Sequence, residues 1–196
     1  MALTWDDIGN AIVAAVARAG NLPDGHVIWK HQNYNAPAQS YVTLSLPSVL
    51  EIGQDFIRRK TDLSRPRGQE VELAVRGTRE AALELELFTD ANVAGDSNAA
   101  LAQMISLTAS LKLPSVHAIL SSYAISAFDV GRINWIPDIP GAVFRGRAVC
   151  TVRCYMPLPT VAEYAGFIER VIGKFTAYGS ISDPIETAFD TSADND

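Results

Sequence analysis

The side chains with the chemistry for catalysis are few and widely spread. Ser40 or Ser45, His31 and Asp55 are the residue types of a nucleophile, a general base and an orienting acid. In such a set the imidazole takes the hydroxyl proton as the oxygen attacks an acyl carbon. No nucleophile elbow surrounds either serine, and nothing in the spacing places the three together. Glu84 and Glu86 alternate with Leu83, Leu85 and Leu87. That pattern is what a half-buried strand requires, so the two acids read as a strand face rather than an acid–base pair. The histidines, His26, His31 and His117, fall on different elements without metal-ligand spacing. Cys150 and Cys154 have no second cysteine pair to complete a metal site. On a strand they point the same way about 13 Å apart, too far for a disulfide, and read as buried thiols. Neither "GTREAA" nor "GRINW" has the glycine spacing and Lys-Ser/Thr pair that cradle a phosphate. The sequence therefore predicts no catalytic set, no cofactor site and no metal site.

Groups suited to binding are more prominent. Trp29, Tyr34 and Tyr41 lie in "HVIWKHQNYNAPAQSYVTLSL", just ahead of and within an alternating strand. Tyr and Trp bury much area at low entropic cost, which suits packing and docking. Arg58, Arg59, Lys60, Arg65 and Arg67 are concentrated in residues 53–69, "GQDFIRRKTDLSRPRGQ", which reads as a long polar loop whose ordering needs contacts. Arg145, Arg147 and Arg153 share one parity of a later strand, opposite Cys150 and Cys154. Arginine suits interfacial ion pairs, so this stripe is expected to meet acidic groups of another subunit.

The elements that must position these groups follow from pattern. The chain of 196 residues is 48% hydrophobic and 19% charged, with net charge −6. That is an ordinary globular composition and disfavours a broadly basic nucleic-acid-reading face. "MALTWDDIGN" has neither a basic n-region nor a long apolar run, so no secretion signal or membrane span is expected, and cytoplasmic maturation is. Thr4 can cap a helix over residues 4–19, with Trp5, Ile8, Ile12, Ala15, Val16 and Ala19 as its apolar stripe and Gly20 as its stop. "HVIW" and "YVTLSLPSVLEI" read as strands; Pro47 marks an edge or bulge in the second. Residues 71–87 keep odd apolar parity, which fits one long bent strand or a three-residue turn. A second helix is expected over 96–111 with Asp96 or Ser97 as cap, and "PSVHAILSSY" as a short further one. "AISAFDV" and "AVFRGRAVCTVRCYMPL" are strands with a loop between them. Residues 160–176 tolerate either helix or strand, and the acidic tail 180–196 is expected to fray. The sum is one α+β domain over 1–179, a mostly antiparallel twisted sheet with two main helices on one face.

In their order these segments resemble the neck and tail terminator proteins of tailed bacteriophages. The resemblance rests on Trp29 with Gln32, Pro37, then Tyr41-Val42-Thr43-Leu44 and Ile52-Gly53-Gln54-Asp55. Arg76-Gly77-Thr78-Arg79-Glu80 leads into "LELELF"; "LTASLKLPSV", Arg145-Gly146-Arg147-Ala148 and Gly166-Phe167-Ile168-Glu169 follow. It covers most of the chain. The sequence departs from the family at "NAPAQSY", where an Arg-Pro pair usually precedes the Tyr, and in its acidic tail.

The resemblance implies a hexameric ring in the virion neck, assembled in the host cytoplasm. It would cap the tail tube protein and join it to head-tail connector or adaptor proteins, with genomic DNA passing through the lumen and no membrane involved. It implies no catalysis, and a strand rather than a helix over 166–176. Two other placements are a head-completion or connector protein of the same neck and, from a different class, a small cytoplasmic enzyme using the His31 region.

Overall fold

The computed structural model describes residues 3–32, 35–37, 39–89, 98–136, 145–165, 172–177 and 185–190, the last two as backbone. The architecture is α+β with a mostly antiparallel sheet, as the pattern predicts. Two compact units divide the chain: Met1–Phe56 with Val75–Val161, and Ile57–Ala74 with Ala162–Asp196.

In the first unit, helix α1 (Trp5–Gly20) opens with a reciprocal capping box. The Asp7 backbone N–H donates to Thr4 Oγ1 at 3.1 Å, and the Thr4 N–H donates to Asp7 Oδ2 at 2.9 Å. The Thr4 hydrogen bonds hold the Asp7 carboxyl below its ordinary range. The helix ends at Gly20, the expected stop, and the left-handed residue that caps it is Asn21, with φ 49°. Strands β1 (Val27–Trp29) and β2 (Tyr41–Thr61) pair in parallel, Val27 opposite Val42. β2 lies next to β3 (Val71–Phe88), a single long strand, which decides between the two options left by its parity.

Helices α2 (Ala99–Ser110) and α3 (Pro114–Ser121) follow, then β4 (Ser126–Val130), β5 (Asn134–Trp135) and β6 (Arg147–Pro157). β6 runs antiparallel to β3 with Leu85 opposite Cys150 and Leu83 opposite Val152. β4 pairs with the same strand, so the path is β1-β2-β3-β6-β4. The expected caps Asp96 and Ser97 lie outside the described residues.

This register sorts the side chains. Val42, Leu44, Ala81, Leu83, Leu85, Leu87, Ala148, Cys150, Val152, Cys154 and Met156 form one buried cluster with the apolar stripes of all three helices. The α1 stripe is buried as expected from Ile8 to Ala19, with Trp5 its exception. Trp5 is 50% exposed rather than buried, and on α2 Ala100 and Leu107 enter the core while Ile105 faces solvent. Burial raises the thiol pKa of Cys150 and pushes that of Cys154 to about 11, as core thiols should behave.

In the second unit the basic segment differs from expectation. Arg58, Arg59 and Lys60 belong to β2, so the connection shrinks to residues 62–70. That connection carries its own bonds. The Asp62 N–H donates to the Glu70 carbonyl at 2.8 Å, Ser64 Oγ to Asp62 Oδ1 at 2.6 Å, and the Gly68 N–H to Glu70 Oε2 at 2.8 Å. The Arg65 guanidinium lies 4.1 Å from the Tyr164 ring centroid. Residues 161–165 form β7, a strand beside β3, and β8 (Ile172–Ala177) pairs antiparallel with β9 (Ile185–Asp190). Strand therefore holds where helix was the other option. The acidic tail, expected to fray, contributes β9; residues 166–171 lie outside the described set.

Candidate functional site

The face of the sheet away from the helices is polar, and alternation builds it. Tyr41, Thr43 and Ser45 of β2 carry the parity opposite to Val42 and Leu44. On β3 and β6 the same face holds Glu80, Glu84, Glu86 and Phe88 with Arg147, Thr151 and Arg153. Glu86 is its centre and is only 5% exposed. Lys30, just past β1, donates to Glu86 Oε1 at 2.6 Å and lies 3.6 Å from Glu84 Oε1. Arg147 Nη2 reaches Glu86 Oε1 at 3.0 Å. Burial alone would raise the Glu86 carboxyl; the Lys30 hydrogen bond and the Arg147 charge override it and hold the group below its ordinary value. The Lys30 ammonium is raised, chiefly by its hydrogen bond to Glu86.

Beside this network Tyr41 and Phe88 stack with centroids 4.9 Å apart. Arg145 Nη1 donates to the Tyr41 hydroxyl at 3.1 Å and its guanidinium lies over that ring, while Arg147 lies over Phe88. The arginine stripe is thus opposite the cysteines, as predicted. Two of its arginines have acidic partners in the same chain: Glu86 for Arg147, and Glu80 for Arg153 at 3.7 Å. Tyr41, expected on a docking surface, is 5% exposed and packed internally. Tyr34 lies outside the described residues.

The serine–histidine–aspartate arrangement is not assembled. Ser45 and Asp55 are ten positions apart on one strand, about 30 Å at extended rise. Ser45 Oγ donates to Glu84 Oε1 at 3.5 Å. Asp55 accepts from both Arg79 terminal nitrogens, at 2.8 and 2.6 Å. Gly77 makes that clamp possible, because a Cβ there would collide with the Asp55 carboxylate. The Arg79 hydrogen bond lowers the Asp55 pKa. Among the described residues no group of three or more His, Cys, Asp and Glu could hold a metal ion, and no helix is long and apolar enough to cross a membrane.

Two surfaces were not singled out by the sequence. The first is β2 beyond Leu46. Every residue from Pro47 to Thr61 is exposed except Asp55, including Val49, Leu50 (64%), Ile52, Phe56 (61%) and Ile57. Both parities are represented, so neither side of this stretch is covered. The run of apolar residues is visible in the sequence, but its being uncovered is not. Nothing local distinguishes a covered alternating strand from an uncovered one. The second is a cleft of about 460 Å³ between α1 and the β1–β2 edge, lined by Trp5, Ile8, Gly9, Val13, Trp29 and Leu46, with Asp6, Asn10 and Gln32 among its polar groups. A Cβ at Gly9 would sit 3.7 Å from the Trp29 indole, at ordinary van der Waals distance.

No family model matches the chain, and no curated protein matches it closely.

Proposed function

We propose that the chain is a structural subunit of a phage virion, a tail terminator that closes into a hexameric ring at the end of the tail tube. In this reading the ring abuts tail tube protein on one side and head-tail connector or adaptor proteins on the other, with DNA passing through its lumen. The order of sequence segments supports it. The observation that carries it is the C-terminal part of β2, where apolar side chains of both parities stand exposed in the single chain. Monomeric proteins rarely leave such contiguous apolar surface uncovered, and an assembling subunit must.

Charge favours a heterologous contact, and therefore a ring. Residues 58–67 hold five of the sixteen Lys and Arg and one of the twenty-two Asp and Glu, a net charge of +4, leaving −10 on the rest. Two like segments repel, so each is directed to a different, acidic part of its neighbour. Repeated head-to-tail contacts close into a ring when the rotation allows. Light scattering on the purified chain, with negative-stain imaging, tests the reading. Closed particles of hexamer mass with a central channel are expected. A chain that stays monomeric at its highest soluble concentration contradicts it.

A further inference from the structure

We propose that the cleft between α1 and β1 receives the Leu50–Phe56 run of a second copy of this chain. The inference rests on the ring reading above and names the contact that would build it. Three observations meet there. Trp5 departs from the apolar stripe of α1 and is half exposed at the cleft instead of joining Ile8 and Ile12 in the core. Exposed indoles at concave sites are the residues that anchor interfaces. Leu50, Ile52 and Phe56 are all exposed within seven residues of β2, so they offer a short apolar run to such a cleft. Asp6 lines the cleft, while Arg58, Arg59 and Lys60 follow Phe56 within about 7–14 Å of strand. Seating Phe56 at the indoles therefore brings cations toward the Asp6 carboxylate.

The other occupants fit less well. A second copy's identical segment would bring two +4 stretches together. Nucleic acid would satisfy the cations but leave Leu50, Ile52 and Phe56 uncovered, and its interfaces are polar. Cleft and strand segment are different surfaces, so each copy gives one and receives one.

Two single-cysteine variants at exposed positions test this, Asn10→Cys at the cleft and Gln54→Cys on the strand. The native thiols are buried, so the unsubstituted chain supplies the blank. Mild oxidation of the mixed variants is expected to give a disulfide between the two, with neither variant cross-linking to itself. Phe56→Ser is expected to weaken self-association about tenfold or more, the scale of a central anchor. Asp6→Lys should also weaken it, and Asp6→Lys combined with Arg59→Asp should restore it. Rings that form without the mixed disulfide and tolerate both substitutions overturn the inference while the ring reading stands. Gln54→Cys cross-linking only to itself overturns it in favour of a symmetric contact. A native chain that never self-associates overturns both, and if it instead binds duplex DNA in a salt-sensitive way through Arg58 and Arg59, the surface belongs to nucleic acid.

Discussion

Glu86 carries more of the polar face than its place in an alternating "LELELF" run suggests. One carboxylate, nearly buried, is shared by Lys30 and Arg147. Glu86→Gln should cost about 1–3 kcal/mol in urea unfolding, because two partly buried cations lose their shared acceptor charge. The pH dependence has a defined sign on each side. The Glu86 pKa is depressed on folding, so its contribution is present above the ordinary carboxylate value and is lost as pH falls through the folded one. The Lys30 pKa is raised, so its contribution is present below the ordinary lysine value and is lost as pH rises through the folded one. Unfolding free energy should therefore hold a plateau between those limits, and Glu86→Gln should flatten its acid shoulder. Arg147→Glu would set two carboxylates side by side. It should destabilise the single chain itself, seen as a lower thermal midpoint, rather than impair assembly alone. Alternation along β6 was enough to oppose the arginines to the cysteines. Their partners were not legible, because Glu86 and Arg147 meet only through a strand register set by packing 61 residues apart in sequence.

At the scale of elements, legibility follows the reach of the interaction. The N-cap of α1 is decided within four residues, and Thr4 was readable as its capping residue. The extent of β2 was not. "RRK" is polar and near Gly and Pro, yet the strand continues through it because β3 lies alongside and supplies hydrogen-bond partners. The clamp between Asp55 and Arg79 ties those strands where Gly53 takes φ +74°, a backbone conformation suited to a local irregularity in pairing. Gly77→Ala should swing the Asp55 carboxylate away from Arg79. Amide exchange across residues 49–57 is expected to quicken, while the helical core keeps its protection. Exchange unchanged in that stretch would show that pairing, not the clamp, holds β2 in place. Acidification should mimic the substitution only below the ordinary carboxylate range, since the arginine keeps Asp55 ionised into mild acid.

At the scale of the whole molecule, fold class and the apolar face were legible because they depend on periodicity, whereas the uncovered surfaces depend on what is missing from above a strand. A cationic segment on an otherwise acidic chain should make encounter between copies salt-sensitive. Raising ionic strength from about 0.05 to 0.5 M is expected to slow association several-fold in stopped-flow light scattering, with little change in the unfolding midpoint. The same stretch also governs how the chain fares before it finds a neighbour. A strand with Val49, Leu50, Ile52, Phe56 and Ile57 exposed is a template for indiscriminate strand-to-strand aggregation in a crowded cell. Arg58, Arg59 and Lys60 adjoin it in the position of gatekeepers, adding like charge that keeps two such strands from stacking. Arg58→Gln, Arg59→Gln and Lys60→Gln together should leave the fold intact and turn soluble chain into turbid suspension on concentration. Solubility during synthesis would then be a selective reason for those cations, separate from any contact they make afterwards.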